Sequence, residues 1–188
     1  MEPLLDQPLA RRTLFQGFAG LAVAASTPAA AFSQGRSREV RLAVRSIHSN
    51  ERYDALVVRN GCLDRQGLAE LNHAMRDWRS GETRRMDPAL MLLAASIRDR
   101  LGIDKRRPFE LICGYRSART NAMRHRQSPG VASKSLHIVG KAIDIALPGT
   151  SLGRLRDAAF DARGGGVGYY PGDGFVHIDT GAVRRWAG

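Results

Sequence analysis

The sequence predicts a single α+β domain, a small and mostly antiparallel sheet with helices packed on it. Three observations carry this. Two early segments have apolar residues at helical spacing behind capping residues, while the later apolar runs are short, alternate, and are bounded by glycine and proline turns. No internal repeat, low-complexity tract or second domain interrupts the chain. Helices first and strands after suit an α+β layer arrangement.

The elements follow in order. "REVRLAVRSIHSNERYDALVV" has two partly alternating runs around the polar "HSNER", a β-hairpin with His48 in its turn. In "DRQGLAELNHAMRDWR", Leu68, Leu71, Met75 and Trp78 share a helical face behind an Asp64 cap. "DPALMLLAASIRDRLG" repeats the logic, with Asp87 as cap, Pro88 in the first turn and Gly102 as the stop. "FELIC" is a short buried strand, with Cys113 as a small buried residue, and it leads into the polar loop "GYRSARTN". "TSLGRLRDAAFDARG" is a helix capped by Thr150 or Ser151 and ending at Gly164. The chain closes with "GVGYY", the turn "PGDG" and "FVHIDT".

The stretch "SLHIVGKAID" sets His137 and Asp144 seven positions apart around Gly140. On one helix they would stand about 10.5 Å apart along the axis. On one strand they would be about 23 Å apart and on opposite faces. They meet only if the chain bends, and a bend costs least at Gly140. The reading is a loop carrying His137, a turn at Gly140, and a strand "KAIDIAL" with Ile143, Ile145 and Leu147 on one face and Ala142, Asp144 and Ala146 on the other. In "FVHIDT", parity puts Phe175, His177 and Asp179 on one face, away from Val176 and Ile178. Two imidazoles and a carboxylate make three ligands of a catalytic zinc site with a fourth position for water. Each histidine alone reads more often as an ordinary polar residue, and His73 and His125 are expected to face solvent.

The first 31 residues read as a signal peptide of the twin-arginine type: Arg11 and Arg12, then Leu14 and Phe15, a short Gly/Ala-rich apolar run, and "AAA" before cleavage after Ala31. Residues 32–188 would form the mature domain, delivered to the periplasm. No later run approaches the roughly 18 apolar residues of a span, so no stable membrane insertion is expected after cleavage. The net charge of +11 favours anionic partners, and export makes a carboxylate-rich cell wall a better candidate than nucleic acid. The two cysteines, Cys62 and Cys113, lack CxxC spacing, and whether they pair is open.

"SLHIVGKAID" fits the SxHxxGxAxD pattern of the lysostaphin, D-Ala-D-Ala metallopeptidase and hedgehog group of zinc proteins. With "SIHSNE", "RDWR", "GYRSARTN", "GVGYYPGDGFVHIDTG" and "VRRW", the chain resembles exported murein endopeptidases of the MepK type over about residues 40 to 186. The resemblance implies that Zn2+ is held by His137, Asp144 and His177, and that Arg116 and Ser135 sit in the substrate groove. It implies hydrolysis of peptide cross-links in murein, whose peptides carry free carboxylates that a guanidinium can bind in a fork. Ser135 reads equally as a turn hydroxyl ordering the loop before His137.

One departure from the wider group bears on the catalytic base. D-Ala-D-Ala peptidases usually place an acid three residues before the last histidine, and lysostaphin-type enzymes a histidine two before it; here these are Gly174 and Phe175. Asp179 is the expected base and Asp173 the second candidate, although Asp179 also suits orienting a ligand. A non-catalytic zinc-containing murein-binding domain and a D-Ala-D-Ala carboxypeptidase are the alternative functions.

Overall fold

The computed structural model describes residues 39–128 and 132–188. The expected signal peptide with its arginine pair lies outside the described residues. The described chain forms the expected α+β domain. In order, it runs β1 (Val40–Ser46), β2 (Arg52–Arg59), β3 (Cys62–Leu63), α1 (Arg65–Ala74), α2 (Pro88–Arg100), β4 (Phe109–Cys113) and α3 (Ala118–Gln127). A 3-10 turn (Leu136–Val139), β5 (Ala142–Ala146), α4 (Leu152–Ala162), β6 (Gly166–Tyr170), β7 (Phe175–Asp179) and β8 (Arg184–Ala187) follow.

The strands form one eight-stranded sheet in the order β3-β2-β1-β4-β5-β7-β6-β8. Pairing is antiparallel except between β1 and β4 and between β6 and β8. On one face, Leu42, Val44, Leu111, Ile143, Ile145, Val176 and Ile178 join α2, α1 and α4 in a continuous apolar core. Helix α2 buries Leu90, Met91, Leu93, Ala94 and Ile97, which leaves it apolar nearly all round, as a helix covered on several sides must be. The caps are those read from sequence. Asp64 accepts from the Gly67 N–H, Asp87 from Ala89, and Ser151 from Arg154.

Three local expectations fail, each for a tertiary reason. Helix α1 ends at Ala74, so Trp78 is not on its buried face and is 44% exposed. The Met75 carbonyl accepts the Tyr115 N–H at 2.7 Å, and the buried Asp77 carboxylate binds the N–H groups of Arg79 and Ser117, at 3.0 and 2.9 Å, diverting the chain into a turn. The "SARTN" segment is not loop but the first turn of α3, with the Ser117 hydroxyl accepting from the Thr120 N–H at 3.2 Å. The C-terminal "RRWA" adds β8 beside β6, a pairing that periodicity in four residues does not announce. Both cysteines are free, Cys62 exposed and Cys113 half-buried. Among the described residues no helix is long and apolar enough to cross a membrane.

Candidate metal centre

The centre is built by sheet register. Asp144 on β5 lies directly opposite His177 on β7, and Cys113 on β4 lies opposite Asp144. On β6, Gly168 faces His177, and Trp186 on β8 faces Gly168. One row across five strands thus presents Cys113, Asp144, His177 and Trp186 on the face away from the core. Gly168 is required in that row, because a Cβ there would lie 2.6 Å from the Trp186 indole. The ring therefore leans over the gap, its centroid 5.2 Å from that of His177, with its N–H donating to the Tyr170 hydroxyl at 2.7 Å.

His137 enters from above. Ser135 caps the 3-10 turn, its hydroxyl accepting from the His137 N–H at 3.3 Å, which is the turn-ordering role. Gly140 closes the turn at φ 71°, a left-handed conformation that a side chain would oppose. The bend expected between His137 and Asp144 is where the structure has it.

Three donor atoms converge. His137 Nε2 lies 3.2 Å from His177 Nδ1 and 3.3 Å from Asp144 Oδ1, and His177 Nδ1 lies 2.8 Å from the same oxygen. The outer ring nitrogens decide what these atoms offer. His137 Nδ1 donates to the Gly114 carbonyl at 2.7 Å, and His177 Nε2 donates to Asp179 Oδ2 at 3.2 Å. Neither partner can donate, so in the neutral rings both inward nitrogens are lone pairs facing a carboxylate. Three acceptors this close require a cation among them, either a proton or a metal ion. Burial by itself lowers the His137 pKa, but Asp144, followed by Cys113, raises it to about 10. Burial raises the Asp144 pKa, and His137 followed by His177 holds it well below the usual carboxylate range. Outer partners that fix the tautomer of each histidine are the arrangement metal-ligating imidazoles need, so the donor set fits a divalent ion of zinc type.

Cys113 was missed in the sequence. A donor atom on each of Cys113, His137 and Asp144 lies within 4.8 Å of the others, so the thiol belongs to the same cluster. Strand parity puts Cys113 with Leu111 in the core, but a β-bulge between them turns it to the other face.

Asp179, expected as the base or as an orienting group, is enclosed. It is 0% exposed. Its Oδ1 accepts from the N–H groups of Gly166 and Gly181, at 3.0 and 2.8 Å, and its two oxygens take the Arg184 guanidinium at 3.2 and 2.7 Å besides the His177 ring. Burial raises its pKa, but the His177 hydrogen bond and then the Gly181 and Gly166 N–H groups hold it well below the ordinary range. Asp173 is exposed in the β6–β7 turn at the groove rim.

The groove over the centre has a volume of about 610 Å³ and includes Arg116, Ser135, Asp173, Tyr170 and Trp186 in its walls. Arg116 is largely buried, with Nη1 donating to Asn121 Oδ1 at 3.2 Å and Nη2 lying 3.9 Å from Asp144 Oδ2. Asn121 in turn donates to the Ala132 and Ser133 carbonyls, each at 3.2 Å, tying Arg116 to the segment that leads into Ser135. His48 stacks on Trp78 at 3.9 Å and lines the groove, whereas His73 and His125 are exposed.

Comparison with known proteins gives a consistent result. The family model described as peptidoglycan L,D-endopeptidase MepK matches residues 33–186. A probable peptidoglycan L,D-endopeptidase MepK of Haemophilus influenzae is 50% identical over 121 residues, 64% of this chain and 64% of that protein. The peptidoglycan L,D-endopeptidase MepK of Escherichia coli K12 is 38% identical over 184 residues, 97% of this chain and 100% of that protein. No solved structure matches the chain. With a match from residue 33 to residue 186 and the convergent donors in place, this chain belongs to the peptidoglycan L,D-endopeptidase MepK family of metallopeptidases.

Proposed function

We propose that this protein is an exported zinc metallopeptidase that hydrolyses an L,D-peptide bond in peptidoglycan, with the metal on His137 Nε2, His177 Nδ1 and Asp144. The observation that carries this is the convergence of those three acceptor atoms, each imidazole held in the ligating tautomer by an outer acceptor. When bound, zinc supplies a Lewis acid that acidifies water and polarises the scissile carbonyl. The chain's own residues do the rest. Arg116, fixed by Asn121, presents charge and N–H groups to a substrate carboxylate or to the negative charge developing on the carbonyl oxygen. Ser135 keeps the 3-10 turn, and with it His137, in place. Trp186 covers one side of His177 and limits water there.

Asp179 is a positioning residue in this reading. Its lone pairs are engaged by two backbone N–H groups, Arg184 and His177, so it orients and polarises the His177 ring rather than collecting a proton from water. Export by the twin-arginine route and action in the periplasm belong to the same proposal and rest on Arg11, Arg12 and the apolar run after them. Digesting purified murein with the mature domain, with and without a chelator, and weighing the released muropeptides tests the function. Fragments cut at an L,D bond, lost on chelation and restored by zinc, are expected. Intact murein bound without cleavage would make this a binding domain, and loss of terminal D-Ala alone would make it a carboxypeptidase.

A further inference from the structure

The groove has an aromatic residue at each end of its sheet row. Trp186 stands at the β8 end, and Trp78 stands at the β1–β4 end, stacked on His48, whose Nε2 donates to the β4 carbonyl of Ile112 at 3.0 Å. The charges around this second end are unequal. Arg79 and Arg124 line the groove there, and neither guanidinium has an ion pair or hydrogen-bond partner among the described residues. The other two arginines of the groove are already committed, Arg184 to Asp179 and Arg116 to Asn121.

We propose that Arg79 and Arg124 form a second anion subsite, which holds a free carboxylate of the bound peptide at the Trp78 end of the groove. This rests on the murein-peptide reading and adds a specificity element to it.

Two features support the pair as a built site. The first is preorganisation. The Arg79 guanidinium lies 4.0 Å over the Trp78 ring, so the aromatic face fixes the plane while the N–H edge stays unspent. The Asp77 carboxylate binds the Arg79 N–H through one oxygen and, through the other, the N–H of Ser117, the cap of the helix that carries Arg124. One buried side chain therefore sets both the turn bearing Arg79 and the start of α3. The second is electrostatic. Partial burial first, and then the Arg124 charge, lower the Arg79 pKa. The buried Asp77 carboxylate offsets the repulsion between the two guanidinium groups only in part, and a carboxylate bound between them removes the rest, with charged hydrogen bonds in addition. Murein peptides are rich in that group, and a guanidinium pair recognises it better than ammonium groups do.

The test uses two synthetic murein peptides, one with free side-chain carboxylates and one with those groups amidated, and measures both binding and cleavage on the metal-loaded protein. The wild-type protein is expected to bind the free acid at least about tenfold more tightly than the amide. That ratio should fall toward one in the Arg79→Gln/Arg124→Gln double variant and further in Arg124→Glu, with metal content and melting temperature retained. A ratio undiminished in both variants would assign the carboxylate to Arg116 alone and overturn the subsite, as would a wild-type protein indifferent to amidation. Preference without cleavage of either peptide would leave the subsite standing and defeat the hydrolase reading. Cleavage of both peptides without preference would do the reverse.

Discussion

Strands β5 and β7 have two faces that obey different rules. On one face Ile143, Ile145, Val176 and Ile178 are buried against the helices. On the other, between those same residues, Asp144 and His177 stand opposite each other and Asp179 stands opposite Ala142. The apolar face specifies volume and tolerates substitutions that conserve it. The polar face specifies which atom points where, and His177 shows how narrowly: Nδ1 faces Asp144 because Nε2 is held by Asp179. One register serves both, since a one-residue slip would exchange the faces, so the core is what aims the donor atoms.

The largest effect expected from breaking this contrast comes on the polar face. His137→Ala removes the imidazole shared by the proposed ligand set and the Cys113 cluster, and should abolish metal binding and hydrolysis together while the helix-packed core persists. Metal analysis, activity and circular dichroism on the same preparations check this. Ile145→Ala, one residue from Asp144, should do the opposite. It should cost about 2–5 kcal/mol of unfolding free energy, measured by denaturant titration, while folded molecules still take up metal.

Legibility in the sequence divides along the same line. The apolar face and the caps could be read directly, because alternation and helical spacing report burial. The His137–Gly140–Asp144 bend was also legible, since neither regular geometry lets that pair meet and glycine marks the exception. What stayed hidden depends on contacts distant in sequence. The bulge that turns Cys113 toward Asp144 and His137 leaves no mark in "FELIC". The Arg184 clamp on Asp179 requires knowing that β8 pairs with β6, and it explains why strand parity alone made Asp179 look available. Trp78 had helical spacing, but Asp77 is bonded to Ser117, 40 residues on, and the helix ends before it.

Smaller effects are expected within the polar face. Asp179→Asn keeps the shape but weakens its hold on His177 and Arg184. Metal affinity should fall by roughly 10- to 100-fold, with much of the rate restored by excess zinc. A collapse of kcat at full metal occupancy would instead return Asp179 to the role of base. The smallest effect concerns acid. Burial raises the Asp77 pKa, but Thr120 and the Ser117 and Arg79 N–H groups outweigh it and lower the value. A lowered folded-state pKa stabilises above the unfolded value of about 3.9, and the contribution is lost as pH falls below that value toward the folded one. Melting temperature should therefore drop as pH falls below about 4, and Asp77→Asn should flatten that part of the profile while lowering stability at neutral pH.

In the proposed mechanism the three convergent acceptors hold the ion on which hydrolysis depends. Its most direct test is to strip the protein of metal and return zinc in substoichiometric steps, recording bound metal and the rate of muropeptide release at each step. The rate is expected to rise in proportion to bound zinc and to level at one ion per chain, with no uptake and no rate in His137→Ala. A full rate from the stripped protein, or equal zinc uptake by the His137→Ala variant, would contradict it.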